Sequence, residues 1–240
     1  MAAVLRVPIT FNFRAVTGVT ADGRSLRSGL LYRSDALGGL TAEGRRTLAD
    51  LGISRVIDLR SPEERVQAPD LLDGLAAEVI ALPILSANSF RPDDVDLRRV
   101  YRSVLDTYGA QVGAAIRAIA ESTGPLVVHC TAGKDRTGLV VALTLLAVGI
   151  DYSWVAQDYA ATEANLAGAW SEQMLARVAA YGIPMAEPLV EVLTRSPEPV
   201  LRETVDWLAA RPGGIAGYLN SVGVDPDVVG RLRQNLLGAD

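Results

Sequence analysis

The first 150 residues alternate between short apolar runs and longer segments in which apolar residues recur every three or four positions. Short runs rich in β-branched residues are typical of buried strands, and the longer spacing is typical of helices that bury one face. Strands are predicted over 30–33, 54–59, 79–82 and 125–129, and helices over 41–51, from 61 onward, 97–121 and 137–149. This alternation predicts an α/β fold with a mostly parallel central sheet flanked by helices.

After residue 149 the pattern is helical to the end of the sequence. Helices are predicted over 151–166, 169–181, 198–210, 217–222 and 226–237. No internal repeat or low-complexity segment interrupts the chain, and its 240 residues suit one domain or a domain with a modest insertion. We therefore expect a single domain over residues 1–240 with a helical C-terminal part.

The clearest chemical signal lies between the strand at 125–129 and the helix that follows it. The segment His129–Gly138 contains the only cysteine and the only histidine of the chain. Cys130 follows the strand directly, and Arg136 stands six positions later, just before the helix. Free backbone N–H groups and the helix dipole meet at such a helix start and form an anion-binding site. The segment is therefore predicted to bind a phosphate group beside a thiol.

The side chains of this loop each have a predicted role in phosphate chemistry. The anion site favours the thiolate of Cys130, which is the nucleophilic form. Arg136 offers a planar fork for two phosphate oxygens, and Gly133 lets the backbone approach the ligand closely. Lys134 is expected to add a positive charge at the rim of the loop. Asp135 is expected to protonate the leaving oxygen and later to activate water.

The residues that flank these groups complete the predicted site. The Thr137 hydroxyl is expected to donate a hydrogen bond to the Cys130 sulfur. His129 is expected to be a buried ring that bonds to the backbone near Cys130, because adjacent strand residues point to opposite faces and it cannot serve as a simple general base. The predicted phosphate-binding residues are Thr131, Ala132, Gly133, Lys134, Asp135 and Arg136.

The segment His129–Gly138 resembles the signature loop of the protein tyrosine phosphatase superfamily, in which five residues separate the cysteine from the arginine and Thr-Gly follows. Its Lys-Asp pair makes it most similar to a bacterial branch, one member of which is secreted by mycobacteria. Members of that branch act on phosphoproteins and phosphoinositides. Motifs that resemble the same branch occur in the same order along the chain, at 12–14, 31–34, 51–53, 56–61 and 213–219.

This resemblance implies an enzyme that hydrolyses phosphate monoesters without metal or cofactor, through a cysteinyl-phosphate intermediate. Phosphotyrosine in proteins is the expected substrate, with phosphoserine, phosphothreonine and phosphoinositides left open. Two alternatives remain at this point: a rhodanese-type sulfurtransferase that carries a persulfide on Cys130, and a non-catalytic module that only binds phosphate. The intact Cys130, Asp135 and Arg136 argue against the second alternative.

The general acid has alternatives to Asp135. Many tyrosine phosphatases take it from a separate mobile loop, and Asp93, Asp94 and Asp96 lie in a polar segment ahead of a predicted helix. Acidic residues at a helix start are also favoured by the helix dipole alone. Asp135 is preferred because the loop itself holds it beside the reacting centre.

The resemblance also implies a lid. In the branch that this chain resembles, a helical pair after the catalytic helix covers the active site, and residues 151–185 are the matching stretch. The alternative is an ordinary amphipathic pair that completes the core. Two outcomes are likewise open for four charged residues in the flanking motifs: they pair with one another and brace the loop, or an arginine reaches a second phosphate. These residues are Arg14, Arg33, Asp58 and Arg60.

Composition limits the possible binding partners and cellular location of the protein. The net charge of −5 argues against nucleic acid, and the longest apolar stretch, 139–150, is shorter than the roughly 20 residues that span a bilayer. A single cysteine excludes an internal disulfide and suits a reducing compartment. The arginine near the N-terminus is unlike a secretory signal, so we expect a cytoplasmic protein, although export without a signal would leave no mark in the sequence. The oligomeric state is left open.

Overall fold

The computed structural model describes residues 7–8, 10–85 and 96–238. Its sheet has five strands in the order β1-β2-β5-β3-β4, and every neighbouring pair is parallel except β1 and β2. The strands are β1 (Arg14–Ala15), β2 (Leu31–Ser34), β3 (Arg55–Asp58), β4 (Glu78–Ala81) and β5 (Leu126–His129). The predicted α/β class with a mostly parallel sheet is confirmed, and β1 is a short strand that the sequence pattern did not reveal.

Eleven helices occur in the described part of the chain. They are α1 (Ala42–Asp50), α2 (Pro62–Gln67), α3 (Leu97–Thr107), α4 (Gly109–Ala120), α5 (Asp135–Val148), α6 (Tyr152–Leu166), α7 (Ala169–Ala179), α8 (Glu187–Thr194), α9 (Glu198–Ala209), α10 (Gly214–Ser221) and α11 (Pro226–Leu236). A short 3-10 turn covers Leu37–Gly39. Among these helices there is no candidate for a membrane span.

Both faces of the sheet are buried, because alternate residues of its central strands pack into two different clusters. Val127 and Val56 belong to the smaller cluster, which includes Leu48 of α1. Val128 and Ile57 belong to the larger cluster with most of the other helices. Helices on both faces cover the central strands, so the ends of the strands are the part of the sheet that can form a site.

The single long helix predicted over 97–121 is wrong. The structure has α3 and α4 there, separated at Tyr108, which leaves the helical conformation at φ −111° and ψ 20°. Gly109 then opens α4, where a Cβ atom would lie 2.9 Å from a methyl carbon of Val222. The break therefore lies where α4 closely approaches a distant part of the chain. α8 also has no counterpart among the predicted helices.

Candidate active site

Residues 130–136 (the phosphate loop) connect β5 to α5. Cys130 follows β5 and is buried, with 2% of its surface exposed. Gly133 has φ +64°, and a Cβ atom there would lie 2.2 Å from the Ser34 carbonyl oxygen, so only glycine fits this turn. α5 begins at Asp135, and the side chain of Lys134 does not cap it. The helix start next to Cys130 is therefore left with N–H groups for an anion.

Two side chains hold the phosphate loop from behind. Asn12 donates from Nδ2 to the carbonyl oxygens of Ala132 and Gly133, at 3.0 and 3.1 Å. Arg33 donates from Nη2 to the Gly133 oxygen at 2.6 Å. In a planar trans peptide the N–H points away from the C=O. The N–H groups of Gly133 and Lys134 therefore face away from these two donors.

Arg136 lies in the first turn of α5, and its two terminal nitrogens bind the two carboxylate oxygens of Glu64 in α2. Nη1 donates to Oε2 at 2.6 Å, and Nη2 donates to Oε1 at 2.8 Å. The backbone of Ser61 and the hydroxyl of Thr131 also donate to this carboxylate. Burial alone would raise the pKa of Glu64, but Arg136 and the other donors outweigh it and lower the pKa to about 2. An ionised Glu64 therefore fixes the plane of the Arg136 guanidinium beside Cys130.

Arg14 and Arg33 share one buried carboxylate, Asp158 of α6. Arg14 Nε lies 3.0 Å from Oδ1, and Arg33 Nη1 bonds to Oδ2. Burial and the charge of Arg33 lower the pKa of Arg14 to about 10. Burial opposes the charge on Asp158, but the two arginines lower its pKa. Of the four motif residues, Asp58 and Arg60 pair with each other at 2.8 Å, as one of the two predicted outcomes has it. Arg14 and Arg33 instead pair with Asp158, which is not one of the four.

The prediction that Lys134 adds a charge at the rim of the loop is wrong. Its side chain is buried, with 1% of its surface exposed. The ammonium donates to the carbonyl oxygens of Val192 and Arg195, and it lies 3.4 Å from Oδ1 of Asp135. The reason is that α8 packs over the loop and presents the carbonyls of its C-terminal end, which attract a cation.

Asp135 is the first residue of α5, and its side chain is partly exposed. Its Oδ1 accepts a hydrogen bond of 2.8 Å from the hydroxyl of Tyr101 in α3. Among the alternatives for the general acid, Asp96 caps α3 by accepting from the backbone of Arg98 at 2.9 Å. Asp93 and Asp94 lie outside the described residues. The assignment of Asp135 as general acid stays a prediction.

His129 is buried, as predicted, but its ring does not bond to the backbone near Cys130, and that part of the prediction is wrong. Within the described residues, neither ring nitrogen has a hydrogen-bond partner. Nε2 lies 3.3 Å from Oδ2 of Asp70 and 3.8 Å from Oδ1 of Asp58. The reason is register, because His129 is paired with Asp58 of the neighbouring parallel strand. Arg60 binds both of these carboxylates, so they already balance a cation.

The contact predicted between Thr137 and the Cys130 sulfur is also missing. The Thr137 hydroxyl is buried and has no hydrogen-bond partner in the part of the chain that the structure describes. α5 begins at Asp135, two residues earlier than predicted. Thr137 is therefore already enclosed in the first turn of the helix and is not at its entrance.

A cavity of about 310 Å³ opens over the phosphate loop. Its floor contains Cys130, Asp135 and Arg136 together with Glu64. Its walls are mainly apolar and come from α3, α7, α8 and the residues after β4. These wall residues are Leu85, Leu97, Val100, Trp170, Met174, Val192 and Leu193. The polar groups are therefore concentrated at one end of an apolar pocket, where they can hold the charged end of a substrate.

Sequence reasoning missed several residues of this site, although one of them had a visible signal. Glu64 is the third residue after Ser61 in a capping box, and that motif follows β3, the parallel neighbour of β5. Because parallel strands end at one edge of the sheet, the start of α2 is expected near Cys130, although no spacing in the sequence reveals the contact between Glu64 and Arg136. Tyr101 and Asp158 carried no such signal, since they lie inside helices with an ordinary apolar pattern.

Comparisons with known proteins agree with this geometry. A family model described as the tyrosine phosphatase family matches residues 5–238. The triple specificity protein phosphatase PtpB of Mycobacterium tuberculosis is 30% identical over 283 residues, which covers 98% of this chain and 100% of the relative. A putative tyrosine-protein phosphatase of Cupriavidus necator is 33% identical over 198 residues, covering 75% of this chain and 71% of that protein.

Among solved structures, TpbA of P. aeruginosa in complex with phosphotyrosine is 22% identical and covers 71% of this chain and 87% of its own, with a TM-score of 0.35. The chain belongs to the tyrosine phosphatase family. It is a cysteine-dependent phosphatase that hydrolyses phosphate monoesters, and none of these relatives favours the sulfurtransferase alternative.

Proposed function

We propose that the chain removes phosphate from phosphotyrosine in proteins through an intermediate on Cys130. The observation that carries the proposal is the placement of Cys130 and Arg136 on the floor of a cavity with apolar walls. A phenyl ring would bury its faces against those walls while its phosphate reaches the floor. Relatives named tyrosine-protein phosphatases support the same substrate class.

In the first step the Cys130 thiolate attacks phosphorus and the bond to the ester oxygen breaks. Arg136 and the N–H groups of the phosphate loop stabilise the charge on the equatorial oxygens. Asp135 gives its proton to the departing oxygen and becomes a carboxylate. Glu64 contributes by fixing the plane of the Arg136 guanidinium, through the two hydrogen bonds described above.

In the second step water attacks the phosphorus of the cysteinyl-phosphate. Asp135, now a carboxylate, takes a proton from that water, and the Cys130 thiolate leaves with its electron pair. Inorganic phosphate is released and Asp135 is again protonated. The loop holds the oxygens by the same contacts in both steps, so Arg136 serves the transition state of each.

The substrate class is tested with a panel of phosphate esters. We expect kcat/KM for a phosphotyrosine peptide to exceed that for the same peptide with phosphoserine by about tenfold or more. Burying a phenyl ring against the apolar walls is worth about 1.5–3 kcal/mol, and about 1.4 kcal/mol corresponds to a factor of ten. Phosphoinositide is offered both in vesicles and as the soluble headgroup, and a metal chelator is present throughout.

A faster reaction with either phosphoinositide form would contradict the proposal. It would indicate a wider substrate range than phosphotyrosine, in keeping with the M. tuberculosis relative, which is named a triple specificity protein phosphatase. Because that relative is named for triple specificity, phosphoserine and phosphothreonine in proteins are the second candidate substrates. The Cys130→Ser variant is the negative control for every substrate, because any phosphate that it releases does not come from attack by Cys130.

The proposal includes a lid made of α7, which lies within the predicted stretch 151–185, and of α8, which follows that stretch. Trp170 of α7 and Val192 of α8 line the cavity above Cys130. Lys134 ties α8 to the phosphate loop through the two carbonyls it binds. α6 belongs to the predicted stretch 151–185, but it carries Asp158 and packs against α5 and α9, so its movement would break the core.

If the lid shields the thiolate, the Trp170→Ala variant loses Cys130 to hydrogen peroxide faster than the native chain, because thiol oxidation follows exposure. The rate is measured from the loss of phosphatase activity that a thiol reductant restores. Trp154→Ala is the matched control, since Trp154 lies on α6 and is 37% exposed. Equal rates for the native chain and the Trp170→Ala variant would contradict the lid.

The remaining parts of the proposal concern where the enzyme works. A nucleophilic cysteine that must stay reduced suits the cytoplasm, and the phosphorylated protein is the partner that the chemistry requires. The reaction needs no cofactor or metal ion, because the proposed steps use only side chains and water. Retention of full activity in a chelator tests this point in the same panel.

A further inference from the structure

The Asp135 carboxyl has two oxygens with different surroundings. Oδ1 accepts the 2.8 Å hydrogen bond from Tyr101 and lies 3.4 Å from the ammonium of Lys134. Oδ2 takes part in neither of these contacts. Asp135 lines the cavity beside Cys130. The two oxygens of the carboxyl are therefore not equivalent when a proton has to be delivered to the substrate.

Tyr101 is itself held by a second tyrosine. Its hydroxyl lies 2.6 Å from the hydroxyl of Tyr159 in α6, and the two rings meet edge to face with centroids 6.3 Å apart. Both side chains are buried, with exposures of 0% and 1%. A hydroxyl carries one proton, so Tyr101 can donate to Asp135 only if Tyr159 donates to Tyr101.

The packing around Tyr159 places this pair against the catalytic helix. A Cβ atom on Gly138 of α5 would lie 3.2 Å from Cδ2 of the Tyr159 ring, which is tighter than ordinary contact. A glycine one turn after Lys134 thus lets the ring approach the helix start. Burial, followed by the nearby Asp135 charge, raises the pKa of Tyr101 well above its ordinary value and also raises the pKa of Tyr159. Both hydroxyls therefore keep their protons at neutral pH.

We infer that Tyr101 is a positioning residue for the general acid: its hydroxyl occupies Oδ1 of Asp135 and so makes Oδ2 the oxygen that carries the proton to the leaving group. Tyr159 holds the Tyr101 hydroxyl in the donating orientation. This inference rests on the proposed function, in which Asp135 protonates the leaving oxygen. Tyr101 keeps its own proton throughout, and only the Oδ2–H bond breaks.

The charged and titratable groups around Asp135 define what removal of the hydroxyl should do. Lys134 faces it from the loop, Arg136 from the same helix turn, and Tyr101 from α3 with Tyr159 behind. A hydrogen bond donated to a carboxylate stabilises the charged form. Its loss in the Tyr101→Phe variant therefore moves the alkaline limb of the pH profile of kcat/KM to higher pH.

The leaving group separates a positioning role from a structural one. Phenyl phosphate needs protonation of its oxygen much more than 4-nitrophenyl phosphate does. In Tyr101→Phe we expect kcat/KM to fall about tenfold for phenyl phosphate and less than about threefold for 4-nitrophenyl phosphate, part of the 10²–10⁴-fold that a general acid contributes. Equal losses for both esters with an unmoved pH limb would overturn the inference.

Matched variants keep the result interpretable. Tyr218→Phe removes another buried hydroxyl, one that donates to the Leu105 carbonyl at 3.0 Å, and should change neither readout. If Tyr101→Phe does not fold, Tyr159→Phe is measured instead, with a smaller effect in the same direction. An unchanged leaving-group dependence in Tyr159→Phe then counts against the inference.

The Asp135→Asn variant distinguishes the two levels of the proposal. If it leaves the leaving-group dependence unchanged, Asp135 is not the general acid and the proposed mechanism fails together with the inference. If it steepens that dependence while Tyr101→Phe does not, only the inference fails. Adding Tyr101→Phe to Asp135→Asn should cause no further loss, because both changes act on one proton transfer.

Discussion

The Cys130→Ser variant is expected to lose phosphatase turnover by a factor on the order of 10⁴–10⁶, the range found when single members of a protease catalytic triad are removed. A serine hydroxyl is a much weaker nucleophile than a cysteine thiolate, so the first step of the reaction should fail. Serine is close to cysteine in size, so the buried site at the end of β5 should keep its packing. Turnover is measured with 4-nitrophenyl phosphate in the presence of a metal chelator.

The control for this variant is binding without catalysis. Arg136, Glu64 and the N–H groups of the phosphate loop are unchanged, so inorganic phosphate should still protect the variant against thermal unfolding. Turnover that persists in Cys130→Ser would remove Cys130 as the nucleophile. A native chain that binds phosphate but turns over no ester would point to the non-catalytic module instead.

Asp158→Asn is expected to cost about 3–5 kcal/mol of the free energy of unfolding, the usual cost of removing one partner of a buried ion pair. Asp158 is the carboxylate that Arg14 and Arg33 share, and its side chain is 9% exposed. Without its charge, two buried guanidinium groups are left facing each other. Arg33 also holds the Gly133 carbonyl, so the phosphate loop should loosen as well.

The pH dependence of this loss has a definite sign. The two arginines lower the pKa of Asp158 below its ordinary 3.8, although burial opposes them. The stabilisation is therefore fully present above about pH 4 and is lost as the pH falls through the lower folded-state value. The difference between the native chain and Asp158→Asn should be constant from neutral pH down to about pH 5 and shrink below pH 4.

Urea unfolding at a series of pH values measures this difference. Asp73→Asn is the control, because Asp73 is exposed and a surface substitution of this kind usually changes stability by less than about 0.5 kcal/mol. A cost below about 1 kcal/mol for Asp158→Asn, or a cost that does not shrink in acid, would show that the shared carboxylate does not hold the two arginines.

Some parts of the fold could be read from local pattern. The strand β5, the loop after it and the helix α5 follow from a buried apolar run, a cysteine-to-arginine spacing of six and Gly149, which ends the helix at φ +92°. All of these features lie within 24 residues of one another. The parallel sheet followed in the same way, because strands and helices alternate along the first half of the chain.

The local pattern failed where distant elements meet. Lys134 looks like a rim residue in the sequence, yet α8 buries it, and α8 itself was not predicted. The predicted single helix over 97–121 breaks at Tyr108, next to Gly109, where a distant part of the chain packs closely. Neither outcome can be read from the neighbouring residues in the sequence, since each depends on which distant part of the chain packs there.

The sequence by itself determined the chemistry: the thiol, the arginine and the carboxyl of the phosphate loop stand within seven residues, and a strand-to-helix connection suffices to gather them. Tertiary structure decided how these groups are held. Glu64 reaches Arg136 across 72 residues, Tyr101 reaches Asp135 across 34, and Asp158 reaches Arg33 across 125. Such contacts arise when whole helices and strands pack against one another. They correspond to no fixed spacing between residues in the sequence, because the two partners are brought together by the fold and not by their positions along the chain.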